Sequence, residues 1–193
     1  MSLAHVIKAL TALLCVALLL PACTGMRLVD NQVNSFAPQK LAPGASYRFE
    51  RLPSQQTQVD TQNQLEELAA QALAKVGLAR SEAASLTVQV SVQQLQVVNQ
   101  EPAPFGWGFG HGGLHTWHHR PWFPGLGDTP LYWRQVSLVM RDAQGKVVFE
   151  SHATHEDIWS DSGPILAAML DAALKDFPNP PSGTRRVDIE IPR

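Results

Sequence analysis

The chain has 193 residues, with 15 Lys and Arg against 17 Asp and Glu, a formal net charge of −2. That near balance, with no basic cluster beyond Arg185-Arg186, argues against nucleic-acid or anionic-lipid binding by charge alone. The length suits one domain with a sizeable core and is short for two.

The first residues read as an export signal. Lys8 and His5 precede an uncharged apolar run, Ala9 to Leu20, too short for a comfortable membrane span and closed by small residues. Leu20-Pro21-Ala22-Cys23 then resembles the lipobox of bacterial lipoproteins. The resemblance implies cleavage after residue 22 and a Cys23 that carries S-diacylglycerol and an N-acyl chain, with Pro21 a less usual second residue. A plain secretory signal cut near Ala22 is the alternative. Cys15 lies in the signal, so Cys23 is the one cysteine left and no internal disulfide can form. More than one acyl chain anchors stably. By resemblance to the enterobacterial sorting pattern, in which Asp at this position signals retention, Thr24 implies the outer membrane, given a Gram-negative host, with the domain facing the periplasm.

Residues 23–44 mix polar residues with Pro38, Pro43 and Gly44 and read as an acylated start and tether, with at most a short strand near Leu28-Val29. A single domain is expected over 45–193. Ser46 to Leu52 alternates as a first strand. In "TQNQLEELAAQALAKVGL", Thr61 and Gln64 form a capping-box pattern, and Leu65, Leu68, Ala69, Ala72, Leu73 and Val76 recur at helical spacing. Gly77-Leu78 fits an αL stop. In "SLTVQVSVQQLQVV" Leu86, Val88, Val90 and Val92 alternate. The apolar phase then shifts to Leu95 and Val97, which predicts a β-bulge near Gln93-Gln94.

Residues 102–130 form a long loop rich in Gly, Trp and His. "LYWRQVSLVMRDAQGKVVFESHATHE" then predicts a hairpin turning at Asp142 to Gly145. "SGPILAAMLDAALKDFP" is a second helix, with Ser162 and Gly163 at its cap, Pro164 in its first turn and Leu166, Leu170, Ala173, Leu174 and Phe177 on one face. "RRVDIEI" adds an edge strand. The order β-α-β-β-β-α-β predicts a two-layer α/β sandwich: a largely antiparallel sheet of four or five strands with two helices on one face. Leu68, Val90, Leu138, Phe149 and Leu170 are its expected core.

The order of pieces resembles a family of Gram-negative envelope lipoproteins built on a domain of unknown function. The lipobox is followed by "YRF", a helix ending "KVGL", "EAASLTVQV", the Gly/Trp-rich loop, "GKVVFES" and "LKDFPNPP". Ser85 and Phe149 depart from it, standing where the family often has Asp and Trp. The resemblance implies an envelope lipoprotein and brings no reaction with it.

No Gly-x-Ser-x-Gly elbow, His-Glu-x-x-His pair or phosphate loop is present, so a non-enzymatic role is expected. Glu156, Asp157 and Asp161 read as a solvated trio favoured by a helix dipole. His152 and His155, an odd number of residues apart on one strand, face opposite sides of the sheet and cannot share an ion. The loop histidines His111, His115, His118 and His119 have spacings that could fold around Zn, Cu or Ni. No Cys or acid supplements them, and such tracts also bind nickel or copper adventitiously. Trp107, Phe109, Trp117, Trp122 and Phe123 supply either an exposed contact surface for an envelope protein, peptidoglycan or the membrane interface, or a cap over an open sheet face. The first expectation is therefore contact in the envelope through protein or cell wall, with periplasmic metal binding second.

Overall fold

The computed structural model describes residues 25–39, 41, 44–97 and 130–193. In chain order the elements are β1 (Met26–Phe36), β2 (Ser46–Phe49), a 3-10 turn (Gln55–Thr57), α1 (Val59–Lys75), β3 (Ala79–Arg80), β4 (Leu86–Val97), β5 (Leu131–Arg141), β6 (Val147–Asp157), α2 (Ser162–Ala173) and β7 (Thr184–Pro192). Seven strands form one sheet in the order β3-β2-β4-β5-β6-β1-β7. Only β2 pairs in parallel, with β3 and β4; every other pairing is antiparallel.

The α/β sandwich class is as expected, but the sheet is wider than four or five strands. The larger addition is β1, which occupies much of the stretch read as a tether. Its inward side chains are Arg27, Val29, Asn31, Val33 and Ser35, all buried. Only two of the five are apolar, so the period-2 signal that marks a half-buried strand is nearly erased. Buried Asn31 answers for its polarity by donating from Nδ2 to the carbonyls of Val29 and Val187.

Both helices lie over one face and enclose a single core in which Val88, Val90, Leu138, Phe149, Leu73, Met169 and Leu170 are buried. Leu68, expected in that core, is only half-buried. α1 starts two residues before Thr61, after the non-helical Gln58, with no side-chain cap, so the capping box does not form. Its end is as read: Gly77 takes φ +83, Gly77 N–H donates to the Ala74 carbonyl, and buried Leu78 donates to the Leu73 carbonyl. The first strand stops at Phe49 rather than Leu52. Beyond it Gln55 and Gln62 send their side-chain amides to the Val90 carbonyl of β4.

The bulge expected at Gln93-Gln94 is absent. β4 and β5 stay in register from Thr87↔Arg141 to Val97↔Leu131. Leu95 and Val97 simply lie on the face away from the helices, in phase with Thr87, Gln89 and Ser91. The register shift in this sheet is instead between β5 and β6, at Met140 and Arg141, near the turn. That turn matches the reading: Gly145 has φ +78, and Asp142 Oδ1 accepts from the Gln144 and Lys146 amides.

α2 ends at Ala173, short of Phe177, and its buried face is broader than expected, with Ile165, Ala168, Met169 and Ala172 joining Leu170. The Ser151 hydroxyl, donating to the Ala173 carbonyl, ties the last turn of α2 to β6.

Candidate functional site

Antiparallel pairing gathers several chain segments at one end of the sheet. β1 begins there, paired Met26↔Pro192 with the end of β7. β4 leaves the sheet there at Val97, directly opposite Leu131, where β5 re-enters. β6 ends beside them, with Asp157 opposite Tyr132. α2 starts there, its Ser162 hydroxyl bonded to Gln94. The 98–129 segment thus departs from and returns to this pole, two strands from the chain start.

An ion-pair network braces the pole. Arg134 is fully buried on the helix-facing side of β5; its Nη1 donates to Asp157 Oδ1 at 2.9 Å and its Nη2 to the Trp159 carbonyl at 2.5 Å. His155, also buried, stands where β1 and β6 separate after the Gln32↔Thr154 pair. Its Nδ1 lies 2.7 Å from the Asp30 carbonyl and its Nε2 2.9 Å from Asp157 Oδ2. Arg27 grips Asp161 through two bonds, at 2.8 and 2.7 Å, and lies over the Trp159 ring. Hydrogen bonding from Arg27 holds the Asp161 carboxyl below the usual aspartate range. Asp157 and Asp161 are therefore engaged in ion pairs, where a solvated trio was expected; Asp157 is the member drawn out of solvent, while Glu156 and Asp161 stay exposed.

The other face of the sheet carries no helix or strand among the described residues. Two of its rows, set by register, are polar: Gln93-Gln135-Thr154-Gln32-Arg186 and Ser91-Ser137-His152-Asn34-Thr184. Within the second row His152 Nδ1 is 2.9 Å from Ser137 Oγ and Nε2 is 2.7 Å from Glu150. A Ser-His-Glu relay needs an oxyanion site as well. Ser137 lies in mid-strand, paired on both sides with Ser91 and His152, which commits its backbone to the ladders.

His152 and His155 do face opposite sides of the sheet, as their spacing requires. Among the described residues no three His, Cys, Asp or Glu side chains are grouped to hold a metal ion. Cys23, the histidines His111, His115, His118 and His119, and the aromatics Trp107, Phe109, Trp117, Trp122 and Phe123 lie outside the described residues. The residues missed from sequence are Arg27, Arg134 and Trp159, together with the buried pairing of His155. Arg134 had a signal: it shares the phase of Val136, Leu138 and Met140, so the alternation alone directs it inward.

The family model that matches this chain is that of a domain of unknown function, DUF4136, over residues 32–179. The chain belongs to the DUF4136 family. That match begins within β1 and runs past the end of α2, so it includes most of the sheet and both helices. No curated protein matches this DUF4136 chain. Among solved structures, a PDZ domain protein from Parabacteroides distasonis is similar at 15% identity and TM-score 0.52, over 91% of this chain and 41% of that one. The DUF4136 chain thus spans well under half of that protein, and the likeness is one of fold. A PelC dodecamer from Paraburkholderia phytofirmans is similar at 13% identity and TM-score 0.44, over 75% of this chain and 95% of that one.

Proposed function

We propose that this is an envelope lipoprotein, acylated on Cys23 in the outer membrane, whose DUF4136 domain faces the periplasm and acts by non-covalent contact with a protein or cell-wall partner. The observation that carries the reading is the sheet face that no helix or strand covers among the described residues. Its rows of Gln, Ser, Thr and Asn present hydrogen-bond donors and acceptors at the fixed spacings of a sheet, a surface suited to recognition. The ionisable groups of the pole are meanwhile engaged with one another as structural braces. The sequence around Cys23 supports the anchor, and the Trp- and Phe-rich stretch of 106–125 supports a contact role beside it.

Two measurements test this. Globomycin should cause a larger precursor to accumulate, and Cys23→Ser should release the protein from membranes; a soluble wild-type protein with an unmodified thiol would sink the anchor. A photo-crosslinking residue at Gln135 or Thr154 should capture an envelope component in living cells, while one at exposed Glu67 on α1 should not. Equal capture at all three positions would remove the open face from the proposal.

A further inference from the structure

Resting on the reading of Cys23 as the lipid anchor, we infer that the pole described above is a membrane-contacting rim, and that its occupant is the phospholipid surface into which Cys23 is inserted. β1 begins at Met26, so only Thr24 and Gly25 separate Cys23 from the sheet. Three residue steps span at most about 11 Å even fully extended. An acylated Cys23 therefore holds the start of β1 against the headgroups, with no tether to carry the domain away.

The large hydrophobic side chains exposed among the described residues are Met26, Leu28, Leu95, Val97, Ile158 and Trp159, together with Phe36, Leu52 and Val59. The first six all lie at this pole, between 39% and 59% exposed. Met26 and Leu28 begin β1, Leu95 and Val97 end β4, and Ile158 and Trp159 follow β6. Soluble surfaces scatter such residues singly; a concentration at one end marks a contact with something apolar.

Trp159 has the chemistry of an interfacial residue. Arg27 and Arg193 both stand over its ring, 5.1 and 5.8 Å from the centroid. An amphipathic ring flanked by guanidinium groups suits the boundary between acyl chains and phosphate headgroups. Of the acids of the pole, Asp157 and Asp161 are paired with Arg134 and Arg27; Glu190 stands opposite Leu28 and Glu156 in the row of Trp133 and Leu95, one step behind Met26 and Val97, and Asp30 lies one step further along the same face. The rim therefore meets the bilayer through apolar contact with arginine at the headgroups and needs no anionic lipid.

The test uses the full-length processed lipoprotein in phosphatidylcholine vesicles, with acylation of Cys23 checked by intact mass. Leu28→Cys and Ile158→Cys, each labelled with bimane, should shift to the blue and lose fluorescence when brominated phosphatidylcholine is included. Phe36→Cys is the control. It is as exposed as they are but sits at the other end of β1, about 33 Å from Met26 at the rise of an extended strand. Its label should be insensitive to the brominated lipid. An acylated protein whose labels at 28 and 158 behave like the one at 36 overturns this inference and leaves the lipoprotein reading intact. An unmodified Cys23 overturns the lipoprotein reading and this inference with it. A blue shift that appears without lipid and grows with protein concentration would assign the rim to a second copy of the chain instead.

Discussion

Glu66 lies on the sheet side of α1 with its carboxylate 5% exposed, gripped by Arg51 through Nε and Nη2 and by the Gln62 amide. Burial pushes its pKa up, but the hydrogen bonds from Arg51 and Gln62 prevail and hold it below the usual glutamate value. A depressed carboxyl pKa stabilises the fold above the unfolded value of about 4.3 and loses that contribution as pH falls through the folded value. Arg51→Ala removes the main opposing influence and leaves a buried acid. The variant should lose about 1–3 kcal/mol near neutrality, and its stability should decline with rising pH across the carboxylate range, where the wild-type gains. Urea unfolding at a series of pH values reads both; parallel curves would show that Arg51 does not control this carboxyl. The contrast between Arg134 and Lys75 is sharper. Arg134→Met strands Asp157 in a buried network and should cost about 3–5 kcal/mol. Lys75, largely exposed in its pair with Asp171, should cost under about 1 kcal/mol when changed to Ala.

At the level of elements, legibility followed how cleanly each segment separates polar from apolar. β4, β5 and the end of α1 were readable because Val88, Val90 and Val92, and Val136, Leu138 and Met140, form apolar inward runs, and because the helix stop carries a glycine. β1 was not, because it places Arg27, Asn31 and Ser35 inward, where they hydrogen-bond to partners on β6, β7 and the start of α2. Leu95 and Val97 misled for the opposite reason. They are apolar on the uncovered face, so a straight strand imitated a phase slip. Deleting residues 26–36 should therefore abolish cooperative unfolding and near-UV dichroism, an outcome that a dispensable tether would not produce. On the helical layer, Leu170→Ala should cost about 2–5 kcal/mol. Leu68→Ala should cost distinctly less, since Leu68 keeps part of its surface in water.

For the molecule as a whole, the sandwich and the family were legible while the braced pole was not, because it joins residues more than a hundred positions apart: Arg27 with Asp161 and His155 with Asp30. Local pattern has no access to such pairings. Replacing Gly106 to Gly125 by a short glycine bridge should leave the melting temperature nearly unchanged, because Val97 and Leu131 already face each other in register, and should abolish partner crosslinks. A large drop in melting temperature would make that stretch part of the core. The metal alternative forecasts stoichiometric zinc or copper in untagged protein, removed when His111, His115, His118 and His119 become Ala; sub-micromolar affinity lost in that variant would put metal binding ahead of contact.

The interior position of β1 also has a mechanical consequence. If the chain is held at Cys23 and a partner pulls from the turn at Asp142 to Gly145, at the far end, the load runs along the length of β1. Its ladders, nine register pairs with β7 and five with β6, lie across that direction and share the force together. A pull on Arg193 instead, whose amide is bonded to the Gly25 carbonyl at 2.8 Å, opens the β1–β7 ladder one pair at a time from its end. The same domain should thus resist force applied between Cys23 and the hairpin turn, and peel readily when force is applied between Gly25 and Arg193.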